Sequence, residues 1–261
     1  MGIVVMCRGA VAAVCSVLTA LALSGCSSDP GAEDPATAEQ LPPLGPAVTV
    51  SPGAASPNGQ GAAFTDPAAL RAALLDVTDL PAGFARLADP EMDLGLPPAS
   101  ESSDTDNSST TPTECEAVLA EIADQQPGVL ASAANWFSGP NFASVDQDAA
   151  GYPTPADAAR AFAGVQDTLS RCTEFSGTDA DGVPVSYRVG GREQARTGDG
   201  SVAFRLVTTS EGLSLVSDVV IAIVGSTVTQ LVASAQEPID PGVLEDLTRT
   251  AVARLAPSVA R

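Results

Sequence analysis

Apolar positions along this chain change their spacing at recognisable points, and each change predicts an element. Residues 10–23 are an almost unbroken run of apolar or small side chains, shorter than the roughly 20 residues that cross a bilayer. From 27 to 65 no period survives. Ser, Pro, Ala, Gly and Asp dominate there, as in Leu41-Pro42-Pro43-Leu44, which predicts a disordered tether. Helical spacing starts at Asp66-Pro67, an N-cap followed by proline at the first helical position. Leu70, Leu74 and Val77 share its face, and Leu80-Pro81-Ala82-Gly83-Phe84 ends it. A short strand is expected at 84–88 and a long exposed loop at 95–112. A second helix is expected over 114–124, with Cys115, Val118, Leu119 and Ile122 on one side.

Strands follow at 129–137 and 142–150, joined by the turn signal Ser138-Gly139-Pro140-Asn141. Thr154 and Pro155 then open a helix that runs to about Cys172, its stripe being Ala158, Phe162, Val165, Leu169 and Cys172. Beyond it the chain predicts four strands, at 183–192, 202–210, 213–224 and 227–235. Gly198-Asp199-Gly200, Glu211-Gly212 and Gly225-Ser226 separate them, which is hairpin chemistry. Residues 219–224 are apolar on both faces, so that strand is expected to be central and covered. Asp240-Pro241 opens a last helix, with Leu244, Leu247, Ala251 and Leu255 inward.

Helices punctuating an antiparallel meander predict an α+β fold, one sheet face covered by helices and the other free for a cleft. Three parts result: 1–25, 26–65 and a folded domain at 66–257. The first has the shape of a signal peptide, with Arg8 its only charge ahead of a short apolar core. A start at Met6 would give a more usual basic opening. Leu23-Ser24-Gly25-Cys26 is similar to a bacterial lipobox. That resemblance implies a lipoprotein cleaved before Cys26, whose sulfur carries diacylglycerol, with palmitate-type acyl chains anchoring it to the membrane. Two acyl chains hold stably where one does not, each buried methylene adding about 0.8 kcal/mol. The expected location is the extracytoplasmic face of the cell membrane. The alternative is a plain secretory signal with a chance cysteine.

Charge narrows the chemistry. The chain carries 12 basic and 32 acidic residues, a net charge of −20, so nucleic acid and anionic lipid surfaces are not expected partners. All the basic residues are Arg, and Ala, Gly and Pro are abundant, as in a high-GC genome such as an actinobacterium's. The absence of His excludes Ser-His-Asp and Cys-His catalysis and imidazole metal ligands. The absence of Lys excludes Schiff bases. No cofactor or metal is expected and the chain is not expected to be an enzyme. A hydrolase working through carboxylates is the minor alternative, and no spacing singles out a pair of acids for it.

Of the five cysteines, Cys7 and Cys15 leave with the signal and Cys26 takes lipid. Cys115 and Cys172 remain, both on predicted inward faces of an exported protein, and a disulfide is expected. Two buried thiols or a metal site are the alternatives, the latter poor without His. Arg188, Arg192 and Arg196 recur every fourth residue and Arg205 lies on the next strand. If one strand reached 196, the three would share a face and could bind an anion. The competing expectation is a solvated face balanced by Glu193, Asp199 and Asp218. Trp136-Phe137, with Asn135 and Tyr152 near, could line a pocket, though Trp136 is expected to anchor the core. Asp104-Thr105-Asp106-Asn107-Ser108 lacks the glycine and glutamate of a calcium loop. Asp179-Ala180-Asp181-Gly182 is a turn.

The tether, the helix ending in Leu80-Pro81-Ala82-Gly83-Phe84, the Cys-bearing helix, the Trp-bearing strand and the second Cys-bearing helix occur in an order that resembles the PknH-like extracellular sensor domain. That domain is found on mycobacterial kinases and on stand-alone lipoproteins of actinobacteria. The resemblance covers 66–257. It implies an α+β fold around an antiparallel sheet, a solvent-open cleft and a ligand-sensing role, with an unknown envelope ligand or protein partner. One disulfide is possible where the kinase domain has two. A cell-envelope adaptor without a small-molecule ligand is the alternative.

Overall fold

Among the described residues nine antiparallel strands build one sheet in the order β1-β3-β4-β9-β8-β7-β6-β5-β2. They are β1 (Ala85–Arg86), β2 (Ser109–Thr111), β3 (Ala131–Ser138), β4 (Ser144–Gly151), β5 (Glu174–Thr178), β6 (Pro184–Gly191), β7 (Gly200–Ser210), β8 (Leu213–Val224) and β9 (Thr227–Ala235). The computed structural model describes residues 40–50, 63–87 and 107–256. Strands β5 to β9 form a continuous meander, and the β3–β4 hairpin joins it by pairing β4 with β9. The β7–β8 turn, Glu211-Gly212, takes φ of 50° and 80°, the two positive values that a tight hairpin requires.

Among the described residues four α-helices accompany the sheet: α1 (Pro67–Ala72), α2 (Ile122–Gln125), α3 (Pro155–Arg171) and α4 (Pro241–Leu255). The caps are the expected ones. Asp66, Thr154 and Asp240 each accept a backbone N–H of their helix's first turn, with proline behind them. The helices lie on both faces of the sheet rather than on one. Phe162, Val165 and Leu169 of α3 pack with Val219, Ile221 and Ile223. Leu244, Leu247 and Ala251 of α4 pack with Val220 and Leu231, and Leu70 of α1 with Ala222 and Val224. Alternate residues of β8 thus enter two cores, which explains why 219–224 is apolar throughout.

Cys115 and Cys172 form a disulfide, S–S 2.02 Å, between the two faces expected to carry them. Other elements depart from expectation. The helix over 114–124 is split into a 3-10 helix, Thr113–Val118, and α2, with Leu119 exposed at the break. Strand β5 was hidden by its polar sequence, Glu-Phe-Ser-Gly-Thr, of which only Phe175 is buried. Its edge partner β2 lies in the stretch read as loop. Asp104, Thr105 and Asp106 of the candidate calcium loop lie outside the described residues. Residues 40–50, assigned by composition to the tether, pack on the domain: Leu44, Val48 and Val50 rest against the core beneath α3.

Candidate functional site

A cavity of about 220 Å³ opens where that packed segment, α3 and the start of β7 meet. Leu44 and Val48 come from the segment, Gln166 and Leu169 from α3, and Val202 and Phe204 from β7, while Arg192, Gln194 and Arg196 come from the loop after β6. The segment is held there by its backbone. Gln166 Oε1 accepts from Val48 N–H at 2.7 Å and Gln166 Nε2 donates to Val48 O at 3.0 Å. The Gly191 N–H donates to Pro42 O at 2.8 Å.

The predicted Arg group is divided. Strand β6 stops at Gly191, so 188, 192 and 196 do not share one strand face. Arg192 and Arg205 converge on Asp218, which is 1% exposed: Arg205 binds it with two parallel bonds of 2.7 and 2.9 Å, and Arg192 Nε lies 3.2 Å away. Cross-strand register causes this, because Arg205 stands opposite Asp218. Arg192 Nη1 donates to Gln194 Oε1 at 2.6 Å, and Gln194 reaches Thr248 of α4. Arg192 Nη2 is buried with no hydrogen-bond acceptor among the described residues. Two guanidinium groups thus share the Asp218 carboxylate. Arg196 is exposed and lines the cavity. Arg188 stands opposite Glu174 and lines a separate cleft beside Gln40 and Leu41. Of the expected balancing acids, Asp218 is the buried partner. Asp199 instead accepts the Gly225 N–H and ties the β8–β9 turn, and Glu193 is exposed.

The aromatic candidates also separate. Phe137 is the fully buried anchor, whereas Trp136, on the opposite strand face, is half-buried. Asn135 is buried and donates to Leu75 O at 2.9 Å. The Tyr152 hydroxyl is buried with no partner among the described residues, and burial pushes its pKa up to about 12. Asp179 accepts from Asp181 N–H and Val183 N–H in the turn between β5 and β6.

Sequence reasoning missed Asp146 and Asp148 on β4. Their spacing of two puts both on one face of the strand, under the Glu121 end of α2. Burial pushes Asp148 up to about 8, against the Ile122 N–H that it accepts at 2.7 Å. Asp146 rises to about 6, again chiefly through burial. Both oxygens of Asp148 are engaged, the second by Gln230 at 3.3 Å. It is therefore a post that docks α2 on the sheet rather than an open acid. The available signal was two aspartates at strand period inside a segment otherwise destined for burial. Among the described residues no group of three or more Cys, Asp or Glu is placed to hold a metal, and no helix is long and apolar enough to cross a membrane. The exposed large apolar side chains include Phe142, 87% exposed in the β3–β4 turn, with Leu213 and Leu215 at the start of β8.

Comparison with known proteins agrees with this architecture. The crystal structure of the extracellular domain of PknH from Mycobacterium tuberculosis superposes with a TM-score of 0.51 at 15% identity, covering 73% of this chain and 94% of that one. An uncharacterised protein from Mycobacterium smegmatis, the Rv0999 ortholog, gives 0.39 at 14% identity, covering 76% of this chain and all of that one. No curated protein is a detectable relative. Residues 65–254 match the PknH-like extracellular domain family, a family of domains that work outside the cytoplasm. With its disulfide, its antiparallel sheet and a match over most of its length, the chain belongs to the PknH-like extracellular domain family.

Proposed function

We propose that this chain is a lipoprotein held on the extracytoplasmic face of the cell membrane through Cys26, and that its domain is a non-catalytic, ligand-binding sensor module. The observation that supports ligand binding is the cavity beside α3. It combines apolar walls from Leu44, Val48, Leu169 and Phe204 with Gln194 and Arg196, the mixture of apolar lining and few polar groups that small-molecule sites use. Its volume of about 220 Å³ falls below the roughly 300–1,000 Å³ of drug-sized sites, so the ligand is small. Arg192 and the exposed Arg196 on the cavity wall favour an acidic group on it.

Native mass spectrometry of the mature chain, equilibrated with a small-molecule extract of its own envelope, tests this. The expected result is a bound species of low mass that is lost in Arg196→Ala, an exposed position whose change leaves the fold intact. A chain that binds nothing overturns the ligand reading and leaves the adaptor, for which Phe142, Leu213 and Leu215 are the exposed apolar side chains.

A further inference from the structure

The domain holds residues 40–50 the way a receptor holds a peptide. We propose that the groove beneath them is a peptide-recognition site for an extended, uncharged, proline-containing segment, occupied at rest by the chain's own residues 40–50. The inference goes beyond the lipoprotein reading and needs neither Cys26 nor a ligand in the cavity.

Three features of the groove recognise backbone. Pairing of β6 with the β5 side runs through the Val189 N–H, which donates to Thr173 O at 2.8 Å, and two residues further along the same edge the Gly191 N–H donates instead to Pro42 O at 2.8 Å. This single main-chain bond continues the β6 edge in the manner of a peptide added to a sheet. Gln166 then takes both the N–H and the C=O of Val48. A side-chain amide that donates to and accepts from one residue reads the main chain whatever side chain it carries. Finally, the floor is cut from glycine. A β-carbon at Gly191 would run into the Pro43 carbonyl. One at Gly190 would come 2.7 Å from Pro42 O, and one at Gly200 2.7 Å from Val50 Cγ2. None of these three has positive φ, so their backbone would accept a side chain. The groove needs glycine for room, not for conformation.

The occupant has matching chemistry. Residues 40–50 carry no charge in a chain of net charge −20. Pro42, Pro43 and Pro46 restrict the backbone in advance, which lowers the entropy lost on binding. Leu41, Leu44, Val48 and Val50 are half-buried while the residues between them face solvent. The match to the family begins at residue 65, so the groove belongs to the family domain and the segment in it does not.

The test uses the whole mature chain with Cys26→Ser and a specific protease site inserted within 51–62. After cleavage, a fluorescent synthetic peptide of residues 40–50 is titrated and followed by anisotropy. Saturable binding to the cut chain is expected. Affinity for the uncut chain should be lower by about tenfold or more, because its own segment competes at an effective concentration on the order of millimolar. Gly191→Val and, separately, Gln166→Ala should each weaken binding to the cut chain by about tenfold, with the thermal melt of the domain retained. A folded cut chain that does not bind the peptide, or binding that ignores both substitutions, overturns the proposal. So does loss of the cooperative melt when the fragment leaves, since the segment would then be a permanent part of the core.

Discussion

Asp148 shows how one buried carboxyl ties the acidity of the surroundings to the fold. Its ordinary value is 3.8 and its folded value about 8, so the folded chain binds this proton more tightly than the unfolded chain does. The resulting stabilisation is fully present below about pH 4 and is lost as the pH rises through 8; Asp146, raised to about 6, acts in the same direction. Asp148→Asn removes the titration while leaving an acceptor for the Ile122 N–H. The melting temperature of the native sequence should therefore fall between pH 5 and 8, and that of the variant should fall much less. Parallel pH slopes in calorimetry would contradict the argument. At this scale the sequence was only partly legible. The residue types were visible, but Arg205 meets Asp218 and Asp148 meets Ile122 through cross-strand register and helix docking, which local spacing does not encode. The spacing of the Arg residues suggested one basic face, and the end of β6 at Gly191 breaks it.

Elements with a strong period were read nearly to the residue. α3, α4, β8 and β9 stand within one or two positions of the expected bounds, because caps, prolines and glycine turns mark their ends. β2 and β5 were not read, since an edge strand and its half-exposed neighbour need little apolar content. The 3-10 helix Thr113–Val118 and α2 were expected as one helix, and they are short, poorly capped pieces held by outside contacts. Neither N-cap residue, Pro112 or Glu121, makes a side-chain capping bond. Their attachment comes from Asp148 on one side and the Cys115–Cys172 bridge on the other. That bridge closes a sequence separation of 57 residues, for which chain entropy gives about 4 kcal/mol. Replacing both cysteines by alanine should lower the melting temperature by roughly 10 °C in a chain of this size. An unchanged melt by calorimetry would show that the 3-10 helix is held without it.

For the molecule as a whole, alternation and turns pointed to the fold class, and the order of the elements carried a resemblance to the family that the match over residues 65–254 bears out. It placed the helices on one face of the sheet, although the doubly apolar 219–224 already implied cover on both. It also took residues 40–50 for tether, since a proline-rich segment has no period to reveal that a glycine-floored groove receives it. If Cys26 anchors the chain, Cys26→Ala should move nearly all of the protein from the membrane fraction to the soluble fraction with its melt unchanged; retention in the membrane would mean that another part of the chain holds it there. The docking of residues 40–50 then acquires a mechanical meaning. Backbone extends at most about 3.3–3.6 Å per residue, so the stretch from Cys26 to Gln40 can reach no further than about 50 Å. Measured to Asp66, where the first helix begins, the limit is about 140 Å. With Cys26 as the anchor, a domain that let go of its segment would nearly triple the radius it could sweep from a fixed point in the membrane, and the groove would be a catch that sets the length of a leash.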